Sequence, residues 1–228
     1  MIYLIQNHPE VPAGIFSELL KKARIPWQII RPDLGEALPA PQSATAVIVL
    51  GGYMGVHDEE EFAFLRDLKD FIRACVTFDV PFFGICLGGQ LLADVLGAEV
   101  SVRQRGEKGI CQLTLSAAGQ CDPLFDGVPP AFSVFQWHND SFALPTDASL
   151  LAGSAECPGQ AFRYGRAWGV QFHPEVDLEV VRIWTRASTS AASYQQEFAR
   201  GEIALRSFGA RLLGNFLVIA GYHPQTPP

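Results

Sequence analysis

Two short stretches hold residue types that could do chemistry together. The first is Gly84-Ile85-Cys86-Leu87-Gly88-Gly89-Gln90. The apolar run Pro81 to Ile85 reads as a buried strand, and Leu91, Leu92, Val95 and Leu96 read as the apolar face of a helix. A cysteine among glycines between strand and helix describes a sharp turn of the nucleophile-elbow kind. Glycine suits such a turn because the backbone on either side folds back tightly. The turn lifts the sulfur to the end of the sheet, where the helix N-terminus favours negative charge. A cysteine at a strand end is also an ordinary small hydrophobe, and Cys86 alone does not separate the two roles.

The second stretch is Gly169-Val170-Gln171-Phe172-His173-Pro174-Glu175. A strand delivers a histidine, Pro174 stiffens the exit, and a glutamate follows two residues later. Alternate residues of an extended segment face the same way, so His173 and Glu175 can point to one place. A thiol profits from a neighbouring base; His173 can take a proton and later return it to a leaving amine. Glu175 would hold the imidazole in the right tautomer, as the carboxylate does in a Ser-His-Asp triad. A lone His-Pro-Glu is equally a surface turn; the same tripeptide after an apolar strand, beside a Cys elbow, is a far sharper signal.

The elements that must position these residues alternate along the first hundred positions. Met1–Gln6, Trp27–Ile30 and Ala46–Leu50 read as strands, with helices over Ala13–Arg24 and from about Glu60 to Phe78. This order predicts an α/β fold: an open, mostly parallel sheet with helices on both faces and ligands beyond the carboxyl ends of the strands. Gly51-Gly52 and Cys86 lie at such ends. Short strands follow at Ala98–Gln104, Ile110–Ser116, Phe132–Trp137, Leu150–Ala155, Gln160–Tyr164 and Ala167–Phe172, read as a small antiparallel addition packed beside the sheet. Val176 to about Ala187 and Ile203–Ala220 read as helices, with Ser188–Ser193 a mobile connection between them.

The chain has 228 residues, a formal charge of −7 and 48% hydrophobic residues. That size fits one domain over 1–222 with a frayed tail at 223–228. No apolar window is long enough to span a membrane, and the N-terminus reads as a first strand, not a signal peptide. The five cysteines are odd in number and form no Cys-x-x-Cys pattern, which argues against a zinc site or disulfide scaffold and for a reducing, cytoplasmic setting. Cys75, Cys111, Cys121 and Cys157 are expected to be packing residues; His8, His57 and His223 are expected at the surface. The acidic balance argues against nucleic acid as a partner.

The two stretches together resemble the class I (triad) glutamine amidotransferases. The similarity runs from Met1 to about Ala220 and is greatest to stand-alone members that resemble the glutaminase domain of GMP synthetase. It implies a flavodoxin-like fold and an enzyme that attacks the side-chain amide of glutamine through a cysteine, releases ammonia and hydrolyses a γ-glutamyl thioester, with no cofactor or metal. Carried over, Cys86 is the nucleophile, His173 the base and Glu175 the orienting acid. Gly52 and Leu87 match the positions whose amides receive the oxyanion, each such donor being worth about 3 kcal/mol. Gly51, Gly52, Gln90, His138 and Asp140 match substrate-binding positions. Gly51-Gly52 is also compatible with a plain turn, and Gln90 with an exposed helix position. Trp137-His138-Asn139-Asp140 carries Asn139 where relatives often have glycine. Glu107-Lys108-Gly109 resembles a pocket-edge motif.

Three functions follow from these residues. The first is a glutaminase that supplies ammonia to a separate synthetase chain, since no Gly-x-x-x-x-Gly-Lys-Ser/Thr loop stands in this sequence. The second is a hydrolase of γ-glutamyl conjugates, whose scissile group is the same γ-amide. The third is a binding or regulatory protein that keeps the fold without the reaction, against which the intact Cys86, His173 and Glu175 argue.

Overall fold

Ala46-Val47-Ile48-Val49 illustrates how the strands are made. All four side chains are fully buried. Ala46 and Ile48 enter one core cluster, Val47 and Val49 another, because successive strand residues point to opposite faces of the sheet. The computed structural model describes residues 1–222; His223 and the tail expected at 223–228 lie outside the described residues.

The strands are β1 (Ile2–Ile5), β2 (Trp27–Ile30), β3 (Ala46–Val49), β4 (Phe82–Ile85), β5 (Val100–Ser101), β6 (Lys108–Leu115), β7 (Ala131–Trp137), β8 (Ser141–Phe142), β9 (Ser149–Gly153), β10 (Ala161–Tyr164) and β11 (Ala167–Val170). The helices are α1 (Gly14–Lys22), α2 (Phe64–Thr77), α3 (Leu87–Val95), the single turn α4 (Ala117–Gln120), α5 (Leu178–Thr185) and α6 (Ala191–Ile219). Nine strands form one sheet in the order β2-β1-β3-β4-β11-β10-β9-β6-β7. The first five are parallel and the remainder antiparallel. One face is covered by α1 and α6 through Ile15, Phe16, Leu20, Leu212, Leu213 and Phe216. The other is covered by α2 and α3 through Leu65, Leu68, Ile72, Leu91 and Leu92.

The strand directions set the location of the site. β1, β3, β4 and β11 all end at one edge of the sheet. Because the antiparallel strands reverse in turn, β7 also ends there and β6 begins there. The segments after β1, β3, β4, β7 and β11, and the one before β6, therefore meet at a single rim.

Several boundaries differ from the sequence reading. The antiparallel strands continue the parallel sheet through the β11–β10 pair instead of packing beside it. Ala98–Gln104 contributes only β5, paired with β8 as a separate two-stranded sheet. Helix α6 begins at Ala191, so half of the connection expected at Ser188–Ser193 is helical. Its first three turns are mostly polar and bury Phe198 in a small cluster with Phe135, Val181 and Trp184, an apolar signal too sparse for periodicity to register. Helix α2 begins at Phe64, leaving a long excursion after β3.

Candidate active site

The elbow at Cys86 follows from crowding at the ends of three strands. Cys86 has φ +50° and ψ −108°, a conformation that non-glycine residues adopt only when the surroundings impose it. Its N–H donates to Val170 O at 2.8 Å and its carbonyl accepts from Gln90 N at 2.9 Å, fixing the residue between β11 and α3. A Cβ on Gly84 would sit 2.4 Å from Gly88 O, one on Gly88 2.1 Å from Val49 O, and one on Gly89 2.7 Å from Val170 O. The helix backbone thus lies directly on the strand ends with no room for side chains. Gly88→Ala is accordingly expected to destabilise the fold by about 1–3 kcal/mol, the usual cost of overpacking. A thermal melt of that variant indistinguishable from the parent chain would contradict this account of the elbow.

The segment after β11 brings three polar side chains to the same place. His173 Nδ1 lies 2.8 Å from Glu175 Oε1, and both residues are buried. The Trp184 ring packs edge-on against the imidazole, with centroids 4.6 Å apart. His173 N–H donates to Phe135 O at 2.9 Å, tying the segment to β7. Burial alone would lower the His173 ionisation, but the Glu175 carboxylate and the nearby Cys86 sulfur outweigh it and raise it to about 10. Gln171 Nε2 donates to Cys86 Sγ at 3.6 Å. A Cβ at Gly51 would lie 3.1 Å from His173 Cε1 and 3.6 Å from Cys86 Cβ, so the thiol and the imidazole border one spot beside that glycine.

Gly51 and Gly52 follow β3 onto this rim. A Cβ on Gly52 would lie 2.6 Å from Leu87 Cδ2, so the segment rests against the first turn of α3. No acceptor among the described residues takes the N–H of Gly52 or of Leu87. Asn7, buried just after β1, donates through Nδ2 to Leu50 O at 2.8 Å and to Gly51 O at 3.3 Å. It holds the carbonyl side of this turn, a part no sequence pattern assigns to it. Gln171 was within reach of the alternation argument, since it shares the parity of His173 and Glu175.

Gln90 is buried, not an exposed helix position. Its Nε2 donates to Gln171 Oε1 at 3.2 Å and to Asp140 O at 3.1 Å. His138 donates through Nδ1 to the same Asp140 carbonyl at 2.8 Å, and its Nε2 lies 3.6 Å from Glu107 Oε2. Behind Glu107, Gln160 donates to the carboxylate and Gln136 donates to Gln160 at 2.8 Å. A buried polar chain therefore runs from the Cys86 sulfur through Gln171, Gln90 and the 138–140 turn to Glu107. The Asp140 carboxylate is engaged outside this chain, accepting from Arg103 N–H at 2.8 Å. Beside the turn opens a cavity of about 700 Å³ lined by Arg103, Gly106, Lys108, His138, Asn139 and Tyr194.

The other cysteines differ from Cys86 in setting. Burial pushes Cys75 up to about 12 and Cys157 to about 11; Cys111, half-buried, rises to about 11. Cys121 is exposed, which corrects its expected packing role: it follows the α4 turn at the surface. His57 is exposed as expected, whereas His8 is only half-exposed, its Nδ1 accepting from Glu10 N–H at 3.1 Å and its ring edge-on to Tyr53. Among the described residues no cluster of three or more His, Cys, Asp or Glu side chains could hold a metal ion, and no helix is long and apolar enough to cross a membrane.

A thiol, an imidazole braced by a carboxylate, and free backbone N–H groups at a helix N-terminus are the parts of an acyl-transfer centre. Residues 16–182 match the family model described as glutamine amidotransferase class-I, and the chain belongs to that family. It is 35% identical over 152 residues to the glutamine amidotransferase-like protein YfeJ of Salmonella typhimurium, covering 64% of each chain. It is 42% identical over 165 residues to the glutamine-hydrolysing GMP synthase of Thermomicrobium roseum, covering 72% of this chain and 29% of that one. The chain thus spans less than two thirds of the length of either relative. A glutamine amidotransferase from Thermotoga maritima superposes with a TM-score of 0.87 at 30% identity, covering 95% of this chain and 97% of that one. One from Methylobacillus flagellatus superposes with the same TM-score at 24% identity, a likeness of fold.

Proposed function

We propose that this chain, acting as one domain over residues 1–222, hydrolyses the side-chain amide of L-glutamine with Cys86 as nucleophile, His173 as acid and base, and Glu175 as the group that orients the ring. The observation that carries this reading is the meeting of the Cys86 and His173 side chains beside Gly51, with His173 Nδ1 held by Glu175. Cys86 Sγ attacks the amide carbon, and the C=O electron pair moves onto oxygen. That oxyanion is received by the N–H groups of Gly52 and Leu87. Collapse breaks the C–N bond as His173 gives a proton to the leaving nitrogen, so ammonia departs and a γ-glutamyl thioester remains. Water, losing its proton to His173, then attacks the thioester, and glutamate leaves with the Cys86 thiol restored. Gln90, His138 and Asp140 border the space for the amino-acid end of the substrate.

The ammonia acceptor belongs to another chain in this reading. GMP synthase relatives in which the matched part is a fraction of the whole protein support such a division of labour. A second reading, hydrolysis of larger γ-glutamyl conjugates, is favoured by the 700 Å³ cavity beside His138, which exceeds the needs of glutamine alone. Kinetics with L-glutamine and a panel of γ-glutamyl conjugates decide between them. The glutaminase reading expects kcat/KM for glutamine to match or exceed every conjugate. Conjugates favoured by orders of magnitude would establish the second reading in its place. A chain that releases neither ammonia nor amine, and whose Cys86 resists a glutamine-analogue electrophile, would refute both.

A further inference from the structure

The excursion between β3 and α2, Leu50 to Ala63, far exceeds the usual βα connection of about two to six residues. It begins at Gly51-Gly52 against the Cys86 elbow and is pinned along its length. Met54 and Val56 are buried in the cluster shared with α2 and α3. Gly55 N–H donates to Asp58 Oδ2 at 2.6 Å, and Asp58 O accepts from Phe62 N–H at 2.8 Å, closing a compact turn. Next to that turn, Glu59 receives the ammonium of Lys69 from α2. The Lys69 side chain is only 8% exposed, and Nζ also reaches Asp94 Oδ2 on α3 at 2.8 Å. The far Asp94 oxygen lies 3.9 Å from His57 Nδ1, again in the excursion. One buried cation therefore ties the excursion to both helices, and α3 is the helix that starts at Cys86.

Packing α2 on α3 does not call for such a device. An ion pair taken out of water gains little over a well-packed apolar contact, since desolvation offsets most of the attraction. Burial alone would lower the Lys69 ionisation, and Asp94 and Glu59 together hold it above its ordinary value instead. What the second carboxylate adds is a fixed location for the excursion. We infer that Lys69 is a positioning residue: by gripping Glu59 it holds the excursion, and with it the Gly52 N–H, in the shape that receives the oxyanion. The inference rests on the proposed roles of Gly52 and Leu87.

Glu59→Gln tests it with least damage, because the Lys69–Asp94 pair between the helices survives. Losing one oxyanion donor outright costs about 10²–10³ in kcat. A loop out of place for much of the time is expected to lower kcat for glutamine about tenfold, with KM within about twofold. Alkylation of Cys86 by iodoacetamide, followed by mass spectrometry, needs no oxyanion donor and should keep its rate. Lys69→Met should act in the same direction and more strongly, with Lys69→Arg recovering part of the loss. Unchanged kcat in both Glu59→Gln and Lys69→Met would overturn the inference, as would a kcat loss matched by equal losses in alkylation rate and Tm. Failure of the glutaminase reading itself would look different, since the unmodified chain would then release no ammonia and take no label from a glutamine analogue.

Discussion

Replacing Cys86 with alanine should lower glutamine hydrolysis by about 10⁴-fold or more, because the covalent route disappears and only binding and the oxyanion donors remain. The measurement is ammonia release at saturating glutamine, with glutamate formed in equal amount by the parent chain. Substantial turnover in Cys86→Ala would end the covalent mechanism. The backbone adds a companion expectation. Cys86 carries its side chain at φ +50°, where only glycine is unstrained. Cys86→Gly should be as inactive as Cys86→Ala yet more stable than it by about 1 kcal/mol, read as a higher Tm. A Cys86→Gly variant less stable than Cys86→Ala would show that the elbow stores no strain.

Glu175→Gln is expected to lower kcat by about 10²-fold or more and to change the pH behaviour of the ring. The amide oxygen can still accept from His173 Nδ1, but the charge that opposes the cost of burying an imidazolium is gone. In the parent chain the fold raises the His173 ionisation from its ordinary 6.5 to about 10. A group raised in the folded state contributes stability fully below its unfolded value and loses that contribution as pH climbs through the folded one. The parent should therefore lose stability between about pH 6.5 and 10, and Glu175→Gln should show a shallower slope there. Urea melts across that window, together with NMR titration of the His173 Cε1 proton, measure both. An imidazole that titrates at the same pH in both proteins would remove Glu175 from its assigned part.

The residues of the candidate site were legible in unequal measure. Cys86 stood out because its neighbours Gly84, Gly88 and Gly89 are each forced by contacts under 3 Å with nearby backbone, and such crowding leaves glycines in the sequence. His173 and Glu175 were found by strand alternation, and the same argument extended one step would have included Gln171. Asn7 and Trp184 left no such trace. Asn7 acts on Gly51 from the end of another strand, and Trp184 meets His173 from α5, so neither is marked by its own neighbours in sequence. Lys69 looked like an ordinary solvated position on an amphipathic helix. Only the approach of Glu59 and Asp94 makes it a buried ion.

By itself, the sequence determined the local pieces. Apolar runs and glycines dictated where strands end and turn sharply, since backbone sterics and burial act over a few residues. It thereby specified an α/β chain with a thiol at one turn and an imidazole with a carboxylate at another. The tertiary structure alone decided that β11 lies beside β4, that the antiparallel strands extend the same sheet, and that the 138–140 turn joins the same rim. Strand order depends on which distant surfaces bury the most apolar area together, a sum over the whole chain that no short window contains.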